Sequence, residues 1–457
     1  AARNSGTLVS GQATTLSAGG FENSASGQVQ SGTDLALSAI TIDNAGNLHA
    51  KGSAVISSGD LGNAATGILL ADGALTVNNT GEASNAGLLQ AGSDLTLDHA
   101  ASLVNAAGAT VYAGHDLNLD LAHALVNDGL AYGAHAVVIA AGNADNTGIL
   151  RSGGSLSLDS TGDAGSSGAV QAQQDLYLVS GGIFANRGKL YAVDGRLDVQ
   201  SVGAFTSSAQ GDIYGSQDVT IAADSVANAG LLEAGHGMSL DAWGDASNSG
   251  TIQADQGDLT MGGTTLTNQG ALSATDNMRL TGSTRLSNLG QVVSGQALTM
   301  AGTDLRNSGQ TQSGTATTLQ AVNLANSGRV QAGTTLAVSG NQSLTNEAAG
   351  QLLAAGDISA DTAMLLSNAG VVQAGGNLDV DGAGAVANQA SGTLYGSQRT
   401  SLQLGGKLDN AGTIYGAQDL SLASSGLTNN GSLRSGATLQ VAVQGNASSS
   451  GTAYAGG

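Results

Sequence analysis

The 457-residue chain contains no cysteine and no proline, and only 10% of its residues are charged. Without cysteine it has neither disulfides nor thiolate metal sites. Without proline, and with no glycine at every third position, it cannot be collagen-like. Low charge beside 41% hydrophobic residues argues against simple disorder, which pairs low hydrophobicity with high charge. Basic residues number 13 against 34 acidic ones, for a net charge of −21 and no basic block. Nucleic acid is therefore not an expected partner, since phosphate binding rests on clustered Lys and Arg. No apolar run approaches the length of a membrane-spanning helix, so no transmembrane segment is expected. The first residues, Ala1 to Gly11, are already repeat-like and show no basic-then-apolar leader.

What the chain does have is glycine, 71 residues of it, and a period. Asn-x-Gly recurs from Asn4-Ser5-Gly6 through Asn268-Gln269-Gly270 to Asn410-Ala411-Gly412. With Ser166, Ser207 and Ser449 aligned in the Asn place, 23 units follow at a mean spacing of 20.2 residues. Two residues before the Asn the chain is always apolar, as at Phe21, Ile42, Phe184, Phe205 and Leu366. Two residues after the Gly it is apolar again (Leu48, Leu232, Ile414), with Thr311 the one exception. Two further on, only Ala, Ser or Gly occurs. A turn then leads to an alternating pair such as Leu35/Leu37 or Leu420/Leu422.

A spacing of two places side chains on one face of a strand, and no helical spacing competes. Each unit thus reads as three very short strands joined by turns. A single unit cannot bury its apolar face, but stacked units can. The expected fold is all-β: a right-handed parallel β-helix of about 23 coils, its hand taken from the crossover rule. Residues 1–457 are expected to form one continuous array, with three parallel sheets. At about 4.8 Å per coil it would extend roughly 105 Å. No capping unit is evident at either end, so an internal fragment of a longer protein is expected.

The Asn column has a physical reason. Its amide both donates and accepts, so Asn228, Asn248, Asn268, Asn288, Asn307, Asn326, Asn346 and Asn368 are expected to form a hydrogen-bonded ladder. The Gly after it is expected to take positive φ and turn the chain. Longer corners such as Asn23 to Gly27 and Asn346 to Gly350 read as small bulges on one edge.

These same residues resemble the haemagglutinin repeats of filamentous haemagglutinin and related exoproteins of two-partner secretion. The segment Leu324-Ala325-Asn326-Ser327-Gly328-Arg329-Val330-Gln331-Ala332-Gly333-Thr334-Thr335-Leu336-Ala337-Val338 fits that pattern position by position. The resemblance covers essentially the whole chain. It implies export by an outer-membrane partner transporter and display on the cell surface or secretion. It implies a role as a stalk of an adhesin or of a contact-dependent growth inhibition effector. Neither the N-terminal secretion domain of that family nor a C-terminal toxin is recognisable here.

No motif demands catalysis, and no cofactor is expected. A β-helix acting on polysaccharide would need clustered carboxylates in a walled groove. The basic residues are scattered and long loops are missing. Asp94 and Asp116 occupy equivalent places in adjacent coils, but Asp recurs there at Asp34, Asp175, Asp218 and Asp419, which favours turn formation over cation binding. His115 and His135 fall one coil apart, with His236 in their column. Stacked imidazoles bind zinc only with further ligands, and none is evident in the sequence, so the expectation is exposed turn histidines and no metal.

One outward column stands out, between the core Leu/Val and the small residue. It holds Tyr112, Tyr132, Tyr191, Tyr214, Tyr395, Tyr415 and Tyr454, with Gln in seven more places. Tyr pairs 112/132, 191/214 and 395/415 lie in neighbouring coils, where rings can stack. Two readings stand: a solvent-facing ladder that stiffens the sheet, or a stripe that docks sugar rings or a surface receptor.

Overall fold

A computed structural model describes residues 1–382 and 384–457. Every regular element among them is a β-strand, and all the strand pairs are parallel. About 23 coils stack as a parallel β-solenoid. The chain divides into two compact units, Ala1–Gly235 and His236–Gly457.

In the first unit a representative coil contains a four-residue strand, Gln28–Ser31, and a ten-residue strand, Leu35–Asn44. The short strand pairs with Asn47–Ala50 of the next coil, Val29 beside Leu48. The long strand pairs with Ala54–Asn63, Leu35 beside Ala54 and Asn44 beside Asn63. The second unit repeats the plan, with Arg329–Ala332 as a short strand and Thr317–Asn326 as a long one.

The three faces expected of each coil are present, but they hydrogen-bond as two sheets rather than three. The strand Leu35–Asn44 carries the first two faces and bends between them without leaving the ladder. Its bend has buried Ala39 inside and exposed Ile40 outside. A small inward residue lets the backbone turn there while the core stays filled. In other coils the same corner breaks the strand, as between Leu75–Asn79 and Glu82–Asn85.

The core is one side chain deep on each face. Val29, Leu35, Leu37 and Ile42 all point inward and are at most 2% exposed. Phe184 and Phe205 stack in the column before the Asn, centroids 6.1 Å apart. The small column is small because it sits at a corner. Where it is Ser, the hydroxyl donates to turn carbonyls: Ser31 Oγ to the oxygens of Asp34 (2.7 Å) and Gln12 (3.0 Å). Thr311, the polar exception, is buried, donates to Asn307 Oδ1 at 3.0 Å and accepts from Asn288 Nδ2 at 3.2 Å.

The role expected for the Asn-x-Gly glycine is corrected. Among the described glycines, positive φ occurs only at Gly108 and Gly382. The reason for glycine is instead steric. A Cβ on Gly328 would fall inside the carbonyl oxygen of Gly309, one coil earlier, and a Cβ on Gly309 would meet that of Gly290. The corner glycines pack backbone against backbone along the stack, so any side chain would force the coils apart.

Candidate functional site

Three side-chain columns cross the coils with enough chemistry to examine: the buried asparagines, the outward tyrosines, and the turn carrying Asp and His. The asparagine column is interior. Asn268, Asn288, Asn307, Asn326, Asn346 and Asn368 are 0–1% exposed. In the second unit each Nδ2 donates to the next Oδ1: Asn248 to Asn268 (2.9 Å), Asn268 to Asn288 (2.9 Å), Asn288 to Asn307 (2.8 Å), Asn307 to Asn326 (2.8 Å). The chain of bonds continues from Asn326 through Asn346 to Asn368 at 2.9 and 2.8 Å. The second Nδ2 hydrogen reaches a backbone carbonyl, as Asn326 does to Gly328 O at 3.1 Å. Buried amides are thus satisfied by their own neighbours.

In the first unit the same ladder runs from Asn4 to Asn146, which donates to Ser166 Oγ at 3.0 Å. It is interrupted at Ser207, whose buried Oγ has no partner, and at Asn186, whose Nδ2 has none. Asn186 and Ser207 are register partners. At this long corner the serine hydroxyl does not meet the amide one coil below, whereas Ser166, at a short corner, does. Asn228 is buried, donating from Nδ2 to Gly230 O and accepting from Gly230 N, both at 3.1 Å.

The tyrosine column is half-buried rather than fully exposed, except Tyr454 at the last coil. Tyr112 and Tyr132 are stacked, centroids 5.4 Å apart at 30°, and Tyr395 and Tyr415 lie at 5.4 Å and 38°. Tyr191 and Tyr214 differ, meeting edge to face at 6.2 Å and 84°. Tyr191 is turned by its hydroxyl, which donates to the Asp212 carboxylate. Burial, and then that carboxylate, push the Tyr191 phenol up to about 12. Cations cap two rings: Lys189 Nζ lies 5.5 Å from the Tyr191 ring and the Arg434 guanidinium 5.7 Å from Tyr415. A pattern missed in the sequence emerges from the register. Gln90, Tyr112, Tyr132 and Arg151 follow one another coil by coil, as do Gln373, Tyr395, Tyr415 and Arg434.

The turn aspartates do not cap their own turns. Asp34 Oδ1 accepts from Ser53 N at 2.8 Å, Asp175 Oδ1 from Arg196 N at 2.8 Å, and Asp419 Oδ1 from Thr438 N at 3.2 Å. Each carboxylate ties its coil to the next, taking an N–H at a turn where the strand ladder is interrupted.

At two of these turns the carboxylates meet histidine. His115 and His135 stack with centroids 4.5 Å apart and 12° between planes. No further ligand is evident beside them in the sequence, but Asp116 lies there. Its Oδ1 lies 2.8 Å from His135 Nδ1 and its Oδ2 3.2 Å from His115 Nδ1. The hydrogen bond from His135 leads the effects that hold the Asp116 carboxyl below its ordinary value of 3.8. Asp94 Oδ1 is 3.1 Å from His115 Nδ1. The Asp pair and the His pair occupy adjacent sequence columns, and only the turn geometry joins them. His236 has no place in this group. Trp243, 61% exposed at a corner of the second unit, was not singled out by the sequence.

No described helix is long and apolar enough to cross a membrane. No curated protein and no solved structure matches the chain significantly. The haemagglutinin repeat family model matches residues 1–64, 50–106, 96–163, 151–201 and 337–451, well over half of the sequence. With the coil, the Asn-x-Gly corner and the apolar columns all in register, the chain belongs to the haemagglutinin repeat family.

Proposed function

We propose that this chain is part of the extracellular stalk of a secreted or surface-displayed bacterial exoprotein, structural rather than enzymatic. In this reading an outer-membrane partner transporter exports it, and it holds a distal receptor-binding or toxin-bearing part away from the producing cell. One observation carries the reading: coil after coil is joined to its neighbours by a strand ladder and a buried amide ladder, while the turns stay too short to wall an active site. Such a segment suits transmission of position better than chemistry.

The test is an in-phase deletion in the full-length protein. Removing residues 269–326 joins Asn268 to Ser327 and Gly328, preserving the corner while deleting three coils. The stalk would shorten by about 14 Å at about 4.8 Å per coil. Target-cell binding or toxin delivery is expected to persist. Its loss, with the remaining coils still folded by circular dichroism, would overturn the reading.

A second reading keeps an adhesive role for the tyrosine column. The recurrence of Gln-Tyr-Tyr-Arg in two stretches favours it, because paired rings flanked by an amide and a guanidinium suit a pyranose ring and its hydroxyls. Replacing Tyr112, Tyr132, Tyr191, Tyr214, Tyr395 and Tyr415 with Ser is expected to abolish glycan or cell binding. Unchanged binding would end this reading. The deletion above removes none of these tyrosines, so the two tests are independent.

A further inference from the structure

We propose that His115, Asp116 and His135 bind a divalent transition-metal ion of the zinc and copper class, clipping two adjacent coils of the first unit together. The site is a consequence of the period. Backbone pairing holds the two histidine positions one coil apart, with His135 N donating to His115 O at 2.9 Å. The imidazoles therefore stack face to face, and both present Nδ1 to the same carboxylate. One ligand atom from each of the three residues falls within 4.8 Å of the others, the only such group among the described residues.

The separations suit one shared ion. Donors about 2.1 Å from a tetrahedral centre lie roughly 3.4 Å apart. The two nitrogen–oxygen distances, 2.8 Å from His135 to Oδ1 and 3.2 Å from His115 to Oδ2 of the one carboxylate, are within reach of that value after a small swing of the His135 ring toward Oδ2. Both imidazoles are more than half exposed, so the rings can swing to meet an ion without disturbing the core. Asp116 is the fixed member: its Oδ1 accepts from Ala136 N at 3.0 Å, leaving Oδ2 free of backbone. Asp94 Oδ1 lies 3.1 Å from His115 Nδ1 but accepts from Asp116 N at 3.1 Å and stands outside the three-residue group, so solvent would complete the coordination.

The donor set decides the class of ion. Imidazole nitrogens with one or two carboxylates suit zinc, copper and nickel, whereas calcium and magnesium call for six or more oxygens, several of them carboxylate or water. Two other histidines provide internal controls. His49 meets the single carboxylate of Asp72, and His99 that of its neighbour Asp98.

The experiment is a titration of the chelator-treated full chain with Cu(II) and Zn(II), followed by calorimetry and by electron paramagnetic resonance of the copper form. One saturable ion per chain with two imidazole nitrogens in the copper spectrum is expected. Substitution of a residue that merely supports a ligand already weakens metal sites by about 10–100-fold. His135→Ala and Asp116→Asn should therefore each weaken binding at least about tenfold, and His49→Ala should leave it unchanged. All of these positions are on turns or outward columns, and circular dichroism verifies the fold of each variant. Absence of saturable binding, a single-nitrogen spectrum, or unchanged affinity in His135→Ala would overturn the proposal.

Discussion

Restoring the interrupted asparagine ladder should stabilise the first unit. Ser207 stands in the Asn column with a buried, unpartnered hydroxyl, and Asn186 below it has a buried, unpartnered Nδ2. The corner after Ser207 is of the long kind, closed by Gly211 N donating to Ser208 O at 2.8 Å. The corner after Asn23 has the same form, Gly27 N donating to Ser24 O at 2.7 Å, and it accommodates an asparagine. Ser207→Asn therefore has room, and its Oδ1 would reach the amide of Asn186. Leaving a buried donor unsatisfied costs about 1–3 kcal/mol. Ordering the longer side chain takes back up to about 1 kcal/mol. The net gain is about 1–2 kcal/mol, a factor of roughly 5–30 in a local opening equilibrium.

A long array need not unfold in one step, so a single melting temperature is a poor readout. Amide hydrogen exchange resolves local opening. The informative amides are Gly188, which donates to Asn186 Oδ1 at 3.1 Å, and Ser208, which donates to Asn186 O at 2.9 Å. Their exchange should slow by that factor in Ser207→Asn, while amides around Asn44 stay unchanged. Equal or faster exchange at Gly188 and Ser208 would refute the account of the ladder as a stabilising element. Asn346→Ser, which creates the same defect at a long corner of the second unit, should do the opposite at Glu347, whose N–H donates to Asn326 O at 2.8 Å.

Other outcomes follow from the same geometry. Gly328→Ala should destabilise its corner by about 1–3 kcal/mol through overpacking against Gly309 O, read as faster amide exchange at Arg329, which donates to Gly309 O at 3.0 Å; unchanged exchange would show that the coils can separate locally. Tyr191, pushed up to about 12, should give a late ionisation step in an alkaline absorbance titration, and Tyr191→Phe should remove that step. Because the folded state holds this proton more tightly, its contribution to stability is complete below the ordinary value of 10.0 and lost as pH rises through the folded value. Asp116 runs the other way: its carboxyl is held low, so its contribution is present above the ordinary value of 3.8 and lost as pH falls through the lower folded value. A carboxyl carbon titration by NMR checks this, and His135→Ala should move Asp116 back toward 3.8.

Much of the coil was legible because a solenoid turns a period into columns. Leu35/Leu37 and the apolar residue before each Asn declared their burial by spacing alone, and no long-range pairing had to be guessed once the register was one period. What escaped was whatever depends on the third dimension between columns. The glycine of Asn-x-Gly looked like a φ requirement, since a single unit shows only a turn; the clash that demands it lies in the preceding coil. The aspartates looked like caps of their own turns for the same reason, although the N–H they accept belongs to the next coil. The two sheets looked like three because Ala39 and its counterparts carry a strand around a corner, and small residues alone do not reveal whether pairing continues there.

The same reasoning explains where chemistry can arise in such a chain. A lone polar residue on a coil meets only its neighbours one period before and after, so any site must be built by repeating or complementing a residue at that interval. The asparagine ladder repeats; the tyrosine pairs repeat; the histidine pair repeats and borrows a carboxylate from the adjacent column. Trp243 does none of these and sits exposed with no aromatic ring stacked on it among the described contacts. Ser207 shows the converse, since one substitution in a repeated column strands the amide of Asn186 one coil away. Function and stability in this fold are therefore properties of columns, and a substitution should be judged by what it does one coil up and one coil down.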